Sequence, residues 1–193
     1  MEQGTHLISP HWLVLSLSQG ALGALLMIAL VRAVSTRTKE ICARALLNLL
    51  NDSTIDEVLE EGAVQAFATL CSLDSEECLS VCAMAFQVLS HHPKGRVKIV
   101  SKRAIMLGLF SLIRSTNSET QKLCGRTVYN LLLDPDTQEK AATSGALGVI
   151  KVICTLKDPR ACLDCANAVA KISELPAARE HKHRIMIYFH LKI

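Results

Sequence analysis

At 193 residues the chain is long enough for one ordinary domain or for a short array of repeats. Half of it is hydrophobic but only 4% is aromatic, so the apolar residues are mostly Ala, Leu, Val, Ile and Cys, side chains suited to closely packed helices. The formal charge of +3, with no run rich in Lys or Arg, is too mild to argue for nucleic acid, whose binders usually carry a clustered basic face.

In chain order, the first feature is a stretch from Leu7 to Val31 without Asp, Glu, Lys or Arg, and 25 such residues exceed the length that crosses a bilayer. Arg32, Arg37 and Lys39 follow it, which would place the rest of the chain on the cytoplasmic side of a membrane. Against an anchor, Ser16, Ser18 and Gln19 interrupt the run, and Gly20-Ala21 opens a segment, GALGALLMIAL, that has echoes downstream. A buried helix is therefore the first reading and a membrane anchor over residues 7–31 the alternative. No basic region precedes the apolar stretch, so a cleaved signal peptide is not indicated.

The echoes are GAVQAFATLCSL (62–73), RAIMLGLFSLI (103–113) and GALGVIKVICTL (145–156), with alanines at Ala21, Ala63, Ala104 and Ala146 spaced by 42, 41 and 42 residues. A second motif keeps the same period. CARALLNLL (42–50), CAMAFQVLS (82–90), CGRTVYNLL (124–132) and CANAVAKIS (165–173) begin at Cys42, Cys82, Cys124 and Cys165, at intervals of 40, 42 and 41. A fixed period of this size marks stacked repeats. Each unit reads as a Gly or Arg turn, an apolar helix, a polar linker such as DSEE or STNSET, and a longer helix that carries the Cys motif. Between units lie short amphipathic stretches, TIDEVLEE (54–61), GRVKIVSK (95–102) and DTQEKAAT (136–143). Pro93, Pro135 and Pro176 each stand 11 residues after a motif cysteine and end the preceding helix, since proline lacks the amide hydrogen and clashes with the turn before it. Three helices per unit are predicted, short, medium and long, and the fold class is all-α.

These motifs resemble the armadillo repeat family over roughly residues 20–175. The residues that carry the likeness are Glu60-Glu61-Gly62-Ala63-Val64 and Thr143-Ser144-Gly145-Ala146-Leu147 in the second helix, with Ala45-Leu46-Leu47-Asn48-Leu49 and Thr127-Val128-Tyr129-Asn130-Leu131 in the third. HEAT repeats, the nearest rival, have two helices and no Gly-Ala turn there. The resemblance implies a right-handed α-solenoid of about four repeats, with the third helices lining its concave face. The segments expected are an atypical 1–19, a partial first repeat at 20–50, repeats at 54–91, 95–133 and 136–175, and at 176–193 a further repeat start or a cap. Neither end has the polar face with which a solenoid normally closes.

Cysteine reads as a small buried hydrophobe in a reducing compartment, because six of the eight fall at repeat-equivalent places rather than at a disulfide framework's spacings. Cys162 and Cys165 with His181 and His183 offer a zinc reading, but His-x-His is too tight for the usual spacing and Cys165 is already explained by the repeat. His91-His92 reads as a solvated turn. No GxxxxGK[ST], GxGxxG or HExxH occurs, and no cysteine is singled out as a nucleophile. No catalytic residue, metal, cofactor or small-molecule substrate is therefore expected.

In armadillo proteins such as β-catenin and importin-α, an Asn on the third helix bonds the backbone of an extended peptide. The resemblance carries that role to Asn48 and Asn130, whose equivalents elsewhere are Val88 and Lys171. One turn earlier stand Arg44, Met84, Arg126 and Asn167. The tryptophans of importin-α are missing from these places, and the single Trp is residue 12, which removes a nuclear-import reading. Arg44, Asn48, Arg126, Asn130, Asn167 and Lys171 are thus the expected partner-binding residues, on a basic line suited to an acidic, extended segment of a partner protein. The competing reading is that they are merely solvated polar residues on an exposed face. The function expected is that of a non-enzymatic scaffold or adaptor in the cytoplasm, with the nucleus also open to it and a membrane only in the anchored alternative.

Overall fold

The computed structural model describes Leu25, residues 32–156 and residues 158–175. Among these residues the secondary structure is helical throughout, without strands. A long helix, α1 (Thr36–Asn48), is followed by three triplets. The first is α2 (Ile55–Glu60), α3 (Ala63–Leu70) and α4 (Glu76–His91). The second is α5 (Pro93–Val100), α6 (Arg103–Ser111) and α7 (Ser118–Leu133), and the third α8 (Pro135–Thr143), α9 (Ala146–Ile153) and α10 (Pro159–Glu174). Single 3₁₀ turns, Leu112–Arg114 and Cys154–Leu156, extend α6 and α9. Of the run proposed as a membrane anchor only Leu25, which packs against the core, is among the described residues; Arg32, Arg37 and Lys39, which follow the run, are among them too. Trp12 and residues 176–193 lie outside them as well.

Local chemistry explains most of the boundaries. Gly62 and Gly145 sit at φ 92° and 113°, left-handed backbone that a Cβ would strain, and so turn the chain from α2 into α3 and from α8 into α9. Pro93 and Pro135 open α5 and α8, where a missing amide hydrogen costs nothing. The linkers are shorter than the sequence suggests. Ser75 accepts from the Cys78 amide at 3.2 Å and Asn117 from the Glu119 amide at 2.9 Å, so Glu76-Glu77 of DSEE and Ser118 to Thr120 of STNSET are already helical.

One repeat register also differs from its sequence reading. Ala63 and Ala146 are fully buried, but Ala104 is exposed and Ile105 occupies the equivalent place at 3% exposure. No glycine marks this junction. Lys102 is extended at φ −134°, and α6 begins one residue out of step with the Gly-started helices.

The long helices α1, α4, α7 and α10 stack in order, each against the next, and the second helices pack behind them. The motif cysteines Cys42, Cys82, Cys124 and Cys165 lie on the inward stripe, at 5%, 0%, 0% and 4% exposure. All eight cysteines are free thiols. Cys124 donates to the Leu109 carbonyl at 3.3 Å and Cys165 to the Ile150 carbonyl at 3.7 Å, the same contact one unit apart. Four residues after each cysteine stand Leu46, Phe86 and Val128, all fully buried, and then the half-buried Val169. This spacing keeps the stripe on one side of a helix with 3.6 residues per turn.

Polar contacts stitch neighbouring units. The Glu76 carboxylate accepts from Ser115 Oγ at 2.5 Å, the Thr116 amide at 2.8 Å and Thr116 Oγ1 at 3.0 Å. Arg96 is the tightest brace. Its guanidinium bonds Asp134 through Nε, and through Nη1 it donates to the Ser90 and His91 carbonyls, each at 3.1 Å. Asp134 also caps α8 through the Asp136 amide at 3.0 Å, so one carboxylate ties the end of α7 to the unit behind it. The Arg96 hydrogen bond holds the Asp134 carboxyl below its usual range. Asp134→Asn is therefore expected to cost about 1–2 kcal/mol near neutrality. A depressed folded pKa means stability that is complete above the ordinary carboxylate pKa and is lost as pH falls through the lowered value. Urea titrations across acidic pH should show that part of the acid dependence missing in the variant; an unchanged profile would contradict the brace.

Candidate functional site

Two positions per long helix face outward along the stack, at two and six residues after each motif cysteine. The first holds Arg44, Met84, Arg126 and Asn167; the second holds Asn48, Val88, Asn130 and Lys171. Arg44, Asn48, Arg126 and Asn167 are exposed, and Asn130 and Lys171 are half-buried. All six expected residues thus lie on the outer side of the stacked helices, opposite their buried cysteines. Side chains four apart on one helix share a face, and stacking aligns the faces of successive units.

The line is less basic than its sequence suggests, because acids invisible to the repeat alignment come in from the neighbouring helix. Arg44 pairs with Glu77 of α4, which Arg37 also reaches at 3.6 Å. Arg126 approaches Asp164 of α10 through Nε at 3.9 Å. Lys171 bonds Glu174 at 3.0 Å on its own helix, and Lys122 bonds Asp158 at 2.8 Å. A contact of 3.9 Å between partly exposed groups is a weak pair, so Arg126 is the cation held most loosely. Asn130 gives one amide hydrogen to Ser90 Oγ at 2.9 Å, which orients its plane and leaves the carbonyl oxygen and second hydrogen for another partner.

Between Arg44 and Arg126 the surface turns apolar, with Met84 37% exposed and Val88 half-buried. Beside Asn130 the stack opens into a cleft of about 540 Å³, lined by Ser90, His91, Arg96, Asn130, Leu133 and Asp134 among others. Leu133 is 45% exposed there. The cleft lies between equivalent places of two successive units, each the end of a long helix and the start of the short helix after it, so it exists only once the units stack. Its only sequence signal is the pair of prolines, Pro93 and Pro135, that turn the chain at its rim.

Among the described residues no group of three or more His, Cys, Asp and Glu is placed to hold a metal ion, and no helix is long and apolar enough to cross a membrane. His181 and His183, needed for the zinc reading, lie outside the described residues. His91 is exposed, as expected, and bonds Gln87 at 2.8 Å, whereas His92 is half-buried 3.7 Å from Asp56.

No family model matches the chain, and no curated protein does. Solved structures of designed proteins are similar. One is the designed armadillo repeat protein YIII(Dq.V1)4CPAF in complex with the peptide (KR)4, 18% identical, with 84% of this chain and 68% of that chain covered at a TM-score of 0.68. Another is the designed armadillo repeat protein YIII(Dq)4CqI, 18% identical, with 91% and 74% covered at a TM-score of 0.71. A third belongs to computationally designed armadillo repeat proteins for modular peptide recognition, 19% identical, with 84% and 68% covered at 0.70. At these identities the likeness establishes the fold, an armadillo-type α-solenoid.

Proposed function

We propose that this armadillo-type solenoid is a non-enzymatic protein-binding scaffold that holds an extended, acidic segment of a partner on the outward line of its long helices. The observation that carries the reading is the alignment of Arg44, Asn48, Arg126, Asn130, Asn167 and Lys171 on one face of α1, α7 and α10, in a fold shared with designed proteins made for peptide recognition. The carbonyl oxygen and second hydrogen of the Asn130 amide can accept from and donate to a peptide backbone, and the fork of Arg126 can turn from Asp164 to a partner carboxylate. Eight free thiols suit a reducing compartment such as the cytoplasm.

The dimensions restrict the segment. Neighbouring helices pack about 8–10 Å apart, so Arg44 and Arg126, two units apart, are separated by about 20 Å. An extended chain rises about 3.3 Å per residue and needs about six residues to span them. Met84 and Val88, midway, suit an apolar side chain in the middle of that span. A labelled peptide with glutamates six residues apart and leucine between them is the probe, with a lysine-substituted version as its opposite. Arg126→Glu is expected to weaken the acidic peptide more than tenfold, above about 1.4 kcal/mol, with helicity and melting temperature nearly unchanged. The affinity should also fall as salt rises, because these charges are partly exposed. Should Arg126→Glu combined with Asn130→Ala leave the affinity intact, the long-helix line is not the docking surface.

A further inference from the structure

Two cysteine pairs in this chain have the same separation. Cys71 and Cys82, and Cys154 and Cys165, are each 11 residues apart, the first member at the end of a second helix and the other on the following long helix. The backbone brings the members of each pair to one place. The Cys154 amide donates to the Ile150 carbonyl, and the Cys165 thiol donates to the same oxygen at 3.7 Å, so both cysteines meet on the last turn of α9. The Cys71 amide likewise donates to the Phe67 carbonyl, at 3.0 Å. In each pair the second cysteine's thiol is pushed up partly by the first, Cys82 by Cys71 and Cys165 by Cys154, as expected of neighbouring thiols.

The pairs differ in access. Cys71 and Cys82 are both at 0% exposure, sealed by the units on either side. Cys154 is half-buried, because it stands in the 3₁₀ turn that leads to the polar linker before α10. Cys165 behind it is buried, and burial pushes its thiol up. An accessible thiol with a buried one beside it, both at the Ile150 carbonyl, is the arrangement a dithiol sensor needs.

We propose that Cys154 and Cys165 form an oxidation site that closes to an intramolecular disulfide under peroxide. The Cys154 thiolate attacks one oxygen of hydrogen peroxide. An S–O bond forms, the O–O bond breaks and hydroxide leaves, taking the proton released by Cys154 as water. The Cys165 sulfur then displaces the oxygen from Cys154 sulfenic acid, its own proton leaving with that oxygen as a second water. Two thiols lose two electrons and peroxide becomes two waters. Losing the Cys165 donor leaves no orphan, since the Ile150 carbonyl keeps the Cys154 amide. The new bond pins the end of α9 to the middle of α10, the helix that carries Asn167 and Lys171.

The test is peroxide treatment of the native full chain, followed by proteolysis without reductant and mass analysis of the linked peptides. Expected is a Cys154–Cys165 linkage, with the loss of two hydrogens, forming about tenfold or more faster than any Cys71–Cys82 linkage, which must wait for the solenoid to open. In urea the two pairs should oxidise at similar rates. Cys154→Ser and Cys154→Ala should each abolish the linkage, while Cys71→Ser keeps it. Oxidation should raise the melting temperature of the parent, and dithiothreitol should reverse the rise. The proposal is overturned if native peroxide treatment links Cys162 to Cys165 instead, if both pairs oxidise equally fast in the folded state, or if only sulfinic and sulfonic acids form.

Discussion

Phe86→Ala is expected to destabilise the protein by about 3–5 kcal/mol, the range for removing a fully enclosed aromatic ring. Phe86 is at 0% exposure on α4, and α4 packs against α1, α3, α5 and α7. Walls on every side prevent the site from collapsing, so the cavity remains and the lost contacts are not recovered. Because each unit of a solenoid is stabilised chiefly by its neighbours, a cavity in the middle of the stack weakens two interfaces together. Urea unfolding followed by far-ultraviolet circular dichroism would measure it. Leu163→Ala, at 61% exposure, is the matched control and should stay within about 0.5 kcal/mol of the parent. A loss below about 1 kcal/mol for Phe86→Ala would mean that the long helices do not enclose this ring.

Gly95→Ala is expected to cost about 3 kcal/mol, although alanine is the better helix former and Gly95 lies inside α5. A Cβ at residue 95 would fall on the Leu89 carbonyl oxygen and within 3.0 Å of its carbon, and both are backbone atoms that cannot rotate away. The turn from α4 to α5 would have to open, pulling Arg96 from the Ser90 and His91 carbonyls. Gly108 is a milder case, since its added Cβ would meet the Ala68 carbonyl at 2.7 Å where α6 crosses α3. Gly148 is the opposite case. It lies in α9 with nothing within 4 Å of an added Cβ, so Gly148→Ala should stabilise by about 0.5–1 kcal/mol. Equal signs at Gly95 and Gly148 would sink the steric account.

How much of this was legible beforehand depends on the range of the interaction that decides each feature. The period, the three helices per unit and the buried face of each long helix follow from Cys42, Cys82, Cys124 and Cys165 and from the apolar spacing around them, because helical periodicity is a local property. The left-handed turns at Gly62 and Gly145 and the helix starts at Pro93 and Pro135 are local too, since each answers to one residue's own backbone restrictions. Where no such residue stands, as at Lys102, the register slipped by one and Ile105 took the place expected for Ala104.

What crosses between helices was not legible. Arg44 meets Glu77, Arg126 approaches Asp164 and Arg96 bonds Asp134, and no periodicity in the chain pairs these bases with these acids. Which acid faces which base depends on how far each long helix slides and rotates against the next, and packing of the whole inward stripe decides that. The same holds for the Cys154 and Cys165 thiols. Their spacing of 11 is written in the chain, but they come together only because α10 lies against the last turn of α9 and brings the Cys165 thiol to the Ile150 carbonyl that the Cys154 amide already bonds.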